Sequence, residues 1–157
     1  GSLMLFIENI VKEIRPAAAA KDIAVGVLVS ENDIPDVFFD SEKMKFVIEN
    51  LLSNAMHYTY EGGRITVVIG TRKNKKGDRE LIVAVRDTGI GMTKEELRRL
   101  FTEFTRTADA SEMYVEGAGL GLFISRNIIF NHHGKIWAES EKGKGSTFYF
   151  TLPIDRD

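Results

Sequence analysis

The order of hydrophobic and polar positions along this chain predicts an alternation of helices and strands. Apolar residues at positions 3, 6, 7, 10, 11 and 14 have the spacing of an amphipathic helix, and Pro16 is expected to weaken its end. The apolar run 22–30 then predicts a strand. A second helix over 41–59 is predicted from Asp40 as its N-cap and from one apolar face. That face consists of Met44, Val47, Ile48, Leu51, Leu52 and Ala55.

The middle of the chain predicts a β-hairpin followed by a capped helix. Segments 64–71 and 80–87 are rich in apolar residues, partly in alternation with polar ones, and the polar loop 72–78, most simply a solvated turn, joins them. Thr93 and Glu96 have the spacing of a capping box, which predicts that a helix begins there. The residues that this helix would turn inward are Leu97, Leu100 and Phe101.

The last third predicts one more helix and a second hairpin. The helix covers about 119–131, and the two strands cover 135–140 and 146–153, whereas 105–116 has no clear period. Strands and helices in this mixed order favour an α+β fold, a two-layer α/β sandwich with a mixed β-sheet and helices on one face.

Composition narrows the class of protein. A chain of 157 residues with 43% hydrophobic residues fits one globular domain, and its net charge of −2 provides no field that would attract nucleic acid. There is no cysteine, and the three histidines lack metal-ligand spacing. The absence of cysteine implies a cytoplasmic location. No apolar run has the length of a membrane span, and Gly1-Ser2 resembles the remnant of a cleaved tag.

Three polar side chains stand on one stripe of the second predicted helix. Asn50 and Asn54 are four residues apart, and His57 follows three residues later. Amide oxygens are hard ligands that suit Mg²⁺, which keeps waters and takes phosphate oxygens as further ligands. An isolated pair of this kind is more often a pair of polar boundary residues, so both interpretations stay open at this point.

Two glycine-rich segments could bring backbone close to a ligand. The first, "DTGIGM" (87–92), follows a predicted strand and is either a simple turn or a site where a carboxylate accepts a hydrogen bond from an exocyclic amine. The second, "GAGLGL" (117–122), opens a helix whose free N–H groups would attract phosphate. A P-loop is excluded because "GKGST" (143–147) lacks its spacing and leads into a strand.

Five segments together resemble the motifs of one family in their order along the chain. "NLLSNAMHYT" resembles the N box, "DTGIGM" the first glycine box, "FTEFTR" the F box, "GAGLGL" the second glycine box and "GKGSTF" the third. The chain is thereby similar to the catalytic ATP-binding domain of sensor histidine kinases, within the superfamily that also contains gyrase, Hsp90 and MutL. The resemblance implies the Bergerat ATP-binding fold and ATP with Mg²⁺ as ligands.

The resemblance also implies roles for individual residues. Asp87 would accept a hydrogen bond from the adenine amine, Gly89 and Gly91 would line the ring, and Tyr58 would flank the base. Asn54, helped by Asn50, would hold Mg²⁺, and His57, which stands where the family often has Lys or Arg, would contact the phosphates. Other implied nucleotide-binding residues are Gly117, Gly119, Leu120, Gly121 and Thr147.

A mobile lid is implied at 102–116. Arg106 within it would reach the γ-phosphate as a catalytic residue beside Asn50 and Asn54, and Phe101 and Phe104 would anchor it. Because 105–116 shows no period and is rich in small and polar residues, we expect the lid to become ordered when nucleotide binds.

The family's phosphate acceptor is a histidine on a separate helical hairpin, and no histidine here has that sequence context. His132 and His133 are expected to be polar residues at a helix end. Residues 1–20 would then be the stub of a linker helix from a missing hairpin, and 21–157 the catalytic domain. The implied partners are that hairpin and a response regulator, with a homodimeric full-length protein and a monomeric isolated domain.

Two alternatives remain from the sequence. One is an anti-sigma factor of the serine-kinase type, a compact relative of similar length. The other is a non-catalytic scaffold that uses ATP only to shape a partner surface.

Overall fold

The computed structural model describes residues 1–103 and 118–154, with the side chains of 101–103 and 118–120 left aside. Within this part the chain forms four helices and five strands. The helices are α1 Leu3–Ala20, α2 Ser41–Tyr58, α3 Lys94–Glu103 and α4 Ala118–Asn131. The strands are β1 Ala24–Val29, β2 Arg64–Lys73, β3 Arg79–Asp87, β4 Ile136–Glu141 and β5 Gly145–Pro153.

The five strands form one mixed sheet in the order β1-β2-β3-β5-β4. Strand β1 runs parallel to β2, and the remaining neighbours pair antiparallel. Both predicted hairpins are present, and the predicted α+β sandwich with a mixed sheet is confirmed.

Side chains alternate between the two faces of the sheet along each strand, and one of these faces packs against the core. Helices α1, α2 and α4 contribute their apolar faces to the same cluster of buried side chains. The buried sheet residues are Ile65, Val67 and Ile69 in β2, Leu81, Val83 and Val85 in β3, and Phe150 and Leu152 in β5. Because side chains of a strand alternate between faces, this assignment also determines which residues at the strand ends face the helices.

Helix α1 runs through Pro16, so the expected weakening at that residue is not observed. Proline removes one backbone hydrogen bond, but four alanines follow it, and alanine has the highest helix propensity. The helix also packs as part of the domain, since Leu3, Ile7 and Val11 are fully buried. The division at residue 20 stays a prediction, but the hydrophobic core is continuous across it.

Local capping signals are confirmed. Asp40 Oδ1 accepts the N–H of Lys43 at 3.0 Å at the start of α2. At the start of α3, Glu96 Oε1 accepts the N–H of Thr93 at 2.9 Å, and Thr93 Oγ1 accepts the N–H of Glu96 at 3.1 Å. Glu96 thereby has its pKa lowered, chiefly by the Thr93 N–H. In the described ranges, 1–103 and 118–154, no helix combines the length and hydropathy needed to cross a lipid bilayer.

Candidate functional site

A cavity of about 100 Å³ lies where the last turns of α2 meet the end of β3 and the β4–β5 turn. Its walls come from six separate elements or loops, so the fold and not one motif creates it. It is lined by Asn54, Ala55, Tyr58, Asp87, Ile90, Gly91, Met92, Glu96, Lys142, Ser146 and Phe148. A larger groove, of about 1070 Å³, lies at the other end of α2 and shares none of these residues.

Asp87 is the charged group at the inner end of this cavity, and it is only 5% exposed. Its Oδ1 accepts two backbone hydrogen bonds, from Gly89 at 2.8 Å and from Ser146 at 3.2 Å. Among the described residues no donor reaches Oδ2, which is not sealed from solvent. Asp87 therefore presents one free carboxylate oxygen to the cavity.

Burial raises the pKa of Asp87 above its usual 3.8, although the N–H groups of Gly89 and Ser146 act in the opposite direction. A carboxylate in low-dielectric surroundings gains from a partner that donates to its remaining oxygen. An exocyclic amine of a planar base is such a donor.

The two glycines of "DTGIG" are required by packing against protein backbone. A Cβ at Gly89 would overlap the carbonyl of Tyr58, whose oxygen accepts the N–H of Ile90 at 3.2 Å. Gly91 has φ of +70°, and a Cβ there would overlap the carbonyl of Glu141. Gly91 lines the cavity, whereas Gly89 faces α2 and is not among its lining residues.

The β4–β5 turn is tied to the loop after β3. Gly143 donates its N–H to the carbonyl of Ile90 at 2.7 Å, and the N–H of Met92 donates to Ser140 Oγ at 2.7 Å. Lys142 Nζ lies 3.4 Å from Glu96 Oε1, so an exposed ion pair joins the turn to the start of α3 beside the cavity. These bonds fix the outer wall of the cavity.

The three polar residues on α2 separate in the structure. Asn54 lines the cavity, and Tyr58 forms one side of it. Asn50 instead contacts α4, where Ser125 Oγ donates to its Oδ1 at 3.4 Å. His57 is exposed and packs edge-on against Tyr58, with ring centroids 5.3 Å apart, and is not a lining residue.

Some expected site residues lie away from the cavity or outside the described residues. Thr147 points to the opposite face of the sheet, because its neighbours Ser146 and Phe148 face the helices. Gly119 and Leu120 lie in the first turn of α4, and Gly121 packs against Asn50. Predictions that fall outside the described residues concern Arg106, Gly117, the side chains of Phe101 and Phe104, and residues 104–116 of the lid.

Seven of the lining residues are not among the predicted site residues, namely Ala55, Ile90, Met92, Glu96, Lys142, Ser146 and Phe148. Ser146 and Phe148 could have been found from strand alternation, since they share a face with the buried Phe150. Glu96 was interpreted only as part of a capping box, and Lys142 only as part of a turn. Glu96 and Lys142 reach the cavity only through tertiary contacts between segments that are distant in the sequence.

Comparisons with known proteins agree with this geometry. Residues 39–156 match the model of the family described as histidine kinase-, DNA gyrase B- and HSP90-like ATPases. The match covers most of the chain, and strands β2 to β5 and the cavity fall within it, whereas α1 and β1 precede it. The chain belongs to this ATPase family.

Two curated relatives are sensory kinases. The adaptive-response sensory kinase SasA of Synechococcus sp. (strain JA-3-3Ab) is 38% identical over 149 residues, covering 95% of this chain and 38% of that protein. The sensor histidine kinase WalK of Bacillus subtilis (strain 168) is 38% identical over 129 residues, covering 80% of this chain and 21% of WalK. The chain thus spans well under half the length of these relatives.

Among solved structures, a nucleotide-free catalytic domain of the histidine kinase ThkA superposes with a TM-score of 0.77 at 27% identity. The superposition covers 98% of this chain and 93% of that domain. The described part of the chain therefore has the architecture of a histidine kinase catalytic domain.

Proposed function

We propose that this chain binds Mg-ATP with the adenine in the cavity at Asp87 and donates the γ-phosphate to a histidine on a separate dimerisation hairpin. The observation that carries the proposal is the Oδ2 of the buried Asp87, which has no donor among the described residues, since both backbone N–H groups that reach this carboxylate bind Oδ1. The adenine amine donates to Oδ2. The ring lies beside Tyr58 and Gly91, and the apolar Ile90 and Phe148 exclude water from the base.

The phosphates leave the cavity past Asn54 towards the first turn of α4. The N–H groups at a helix start have no intrahelical partners, and the helix dipole adds positive potential there. Asn54 supplies an amide oxygen for Mg²⁺, and waters and phosphate oxygens complete its shell. Within the described residues, no cluster of three or more acidic, His or Cys side chains could hold a metal ion, which fits a site completed by the nucleotide.

The protein's contribution to phosphoryl transfer is positioning and charge stabilisation. The acceptor imidazole is itself nucleophilic and attacks the γ-phosphorus, the bond to the β,γ-bridging oxygen breaks, and ADP leaves. Family resemblance assigns further phosphate contacts to Arg106, Gly117 and His57. The magnesium ion, when bound, neutralises charge on the phosphates.

The partners follow from the same proposal. They are the phosphoacceptor hairpin of a longer homodimeric kinase and a response regulator that accepts the phosphate in turn, with the domain in the cytoplasm. The names of the relatives SasA and WalK support a sensory kinase over an anti-sigma factor. An ATP-gated scaffold remains the second candidate, because a cavity that binds adenine does not require transfer.

The test is binding followed by transfer. Calorimetry with Mg-ATP should give saturable binding, and radiolabelled ATP with a panel of hairpins from related kinases should give acid-labile, base-stable phosphate on the hairpin. Acid-stable phosphate on a partner would indicate a serine kinase, and binding without transfer a scaffold. No binding of ATP or ADP would contradict the proposal itself.

We expect no phosphate on the chain itself. Both ring nitrogens of His132 are engaged, since Nε2 accepts the N–H of Asp40 at 3.0 Å and Nδ1 lies 2.8 Å from the carbonyl oxygen of Ile128. His57 and His133 are exposed but lack the acceptor sequence context. Phosphohistidine on the purified chain after incubation with ATP alone would contradict this expectation.

Affinity for ADP is expected to fall with decreasing pH. Only ionised Asp87 offers two acceptor oxygens, and its raised pKa brings protonation closer to neutral pH. Binding is therefore full above the raised pKa and is lost as pH falls through it. Titrations at several pH values check this, with Asp87→Asn as the control that should lack this dependence. The same slope in both proteins would exclude Asp87 as its source.

A further inference from the structure

The contact between α2 and α4 places Asn50 against a glycine. Gly121 is buried, and a Cβ built on it would overlap Asn50 Nδ2 and lie 2.8 Å from Cγ and 3.1 Å from Oδ1. Only a residue without a side chain lets the amide of Asn50 approach α4 so closely. Gly121 therefore provides the space in which this amide lies.

Ser125 contacts the other end of the same amide. It lies four residues after Gly121 on α4, so the two residues share a face, and it is fully buried. Its hydroxyl donates to Asn50 Oδ1 at 3.4 Å, a long and partly buried hydrogen bond. Nδ2 thus lies towards the start of α4 and Oδ1 towards its interior.

The position of Gly121 in α4 argues against a direct contact with phosphate. The helix begins at Ala118, and the N–H groups without intrahelical partners are those of the N-cap and the first three helical residues. Gly121 is the fourth helical residue, so its N–H belongs to the helical ladder. The sequence analysis expects Gly121 to bind phosphate through its backbone N–H. Because this N–H is used within the helix, the presence of glycine at this position needs another explanation.

We propose that Gly121 and Ser125 are positioning residues that hold the Asn50 amide with its Nδ2 towards the start of α4, where it can donate to a phosphate oxygen. This inference rests on the proposed function. An amide nitrogen cannot ligate a cation, whereas its two protons suit an anionic oxygen. Oδ1, held by a buried hydroxyl, faces away from the turn where the phosphates lie.

A double-mutant cycle tests the positioning role. Gly121→Ala should push the Asn50 amide away and lower affinity for a non-hydrolysable Mg-ATP analogue roughly tenfold, as should Asn50→Ala. In the double variant the shortened side chain leaves room for the new methyl group, so the loss should equal that of Asn50→Ala alone. Additive losses would overturn the inference, since Gly121 would then act independently of Asn50.

Two further variants separate orientation from folding. Ser125→Ala should weaken binding of the analogue several-fold with an unchanged melting temperature and an unchanged affinity for adenosine, which has no phosphate. Gly26→Ala is the matched control, because its added Cβ would meet no atom within 4 Å. Full analogue affinity in Ser125→Ala would exclude a role for its hydroxyl.

Asn50→Asp distinguishes a donor from a ligand. A carboxylate repels phosphate and cannot donate, so binding should be weaker than in Asn50→Ala. If Asn50 were a Mg²⁺ ligand, Asp would retain binding and reduce the Mg²⁺ concentration required. Wild-type protein that binds no nucleotide at all would instead contradict the proposed function, which keeps the two failures distinct.

Discussion

Replacing Asp87 by asparagine is expected to lower the affinity for ADP roughly 5- to 150-fold, or about 1–3 kcal/mol, without loss of the fold. Asparagine retains Oδ1 as the acceptor for the N–H groups of Gly89 and Ser146. It replaces Oδ2 with an NH₂ group. Two hydrogen-bond donors, this NH₂ group and the adenine amine, would then face each other. Calorimetry with ADP measures the loss.

The thermal stability of the Asp87→Asn variant should be equal to or higher than that of the wild type. A raised folded-state pKa means that the fold favours protonated Asp87, so its contribution to stability is present below the unfolded value and lost as pH rises through the folded value. At neutral pH the asparagine variant should therefore melt no lower than wild type. Asp78→Asn, in the exposed loop 72–78, is the control for a surface change of the same kind. Unchanged ADP affinity in Asp87→Asn would remove the adenine assignment.

Replacing Gly91 by alanine is expected to destabilise the fold by roughly 2–5 kcal/mol. Two effects combine, since φ at Gly91 is +70° and the new Cβ would overlap the carbonyl of Glu141. That carbonyl lies at the end of β4, next to the turn that walls the cavity, and relief of the clash requires this end of the hairpin to shift. ADP affinity should fall together with stability. Urea unfolding monitored by circular dichroism measures the change.

A neighbouring glycine separates the two effects. Gly143 has φ of +87°, and a Cβ there would meet no atom within 4 Å. Gly143→Ala should therefore report the backbone cost alone, about 1 kcal/mol. Equal losses of stability in Gly91→Ala and Gly143→Ala would show that the carbonyl of Glu141 moves away from the new Cβ at no energetic cost.

Local signals in the sequence predicted most of the fold. The N-cap at Asp40, the capping box of Thr93 and Glu96, and both hairpins depend on residues a few positions apart, and the structure has each of them. The exception is Pro16, where the alanines that follow and the packing of α1 outweigh one lost hydrogen bond.

The site was less predictable because its contacts join distant segments. Gly91 meets Glu141, and Asn50 meets Gly121 and Ser125, at separations of fifty residues or more that no local pattern records. Motif matching supplied Asp87 and Asn54, which do line the cavity, but it also supplied Thr147, which lies on the other face of the sheet. The alternation of side chains along a strand, which can be read from the sequence, places Thr147 and Ser146 on opposite faces of the sheet.

The burial of α1 has a consequence for how this domain is cut and joined in protein engineering. Leu3, Ile7 and Val11 are fully buried, and Arg15 Nε donates to the carbonyl of Val25 in β1 at 3.0 Å. A splice at residue 20 would remove these side chains and leave a hole along β1 and α2. Chimeric proteins should therefore be joined ahead of Leu3. The grafted domain then supplies only the connecting segment, and this domain keeps the buried side chains of its own α1.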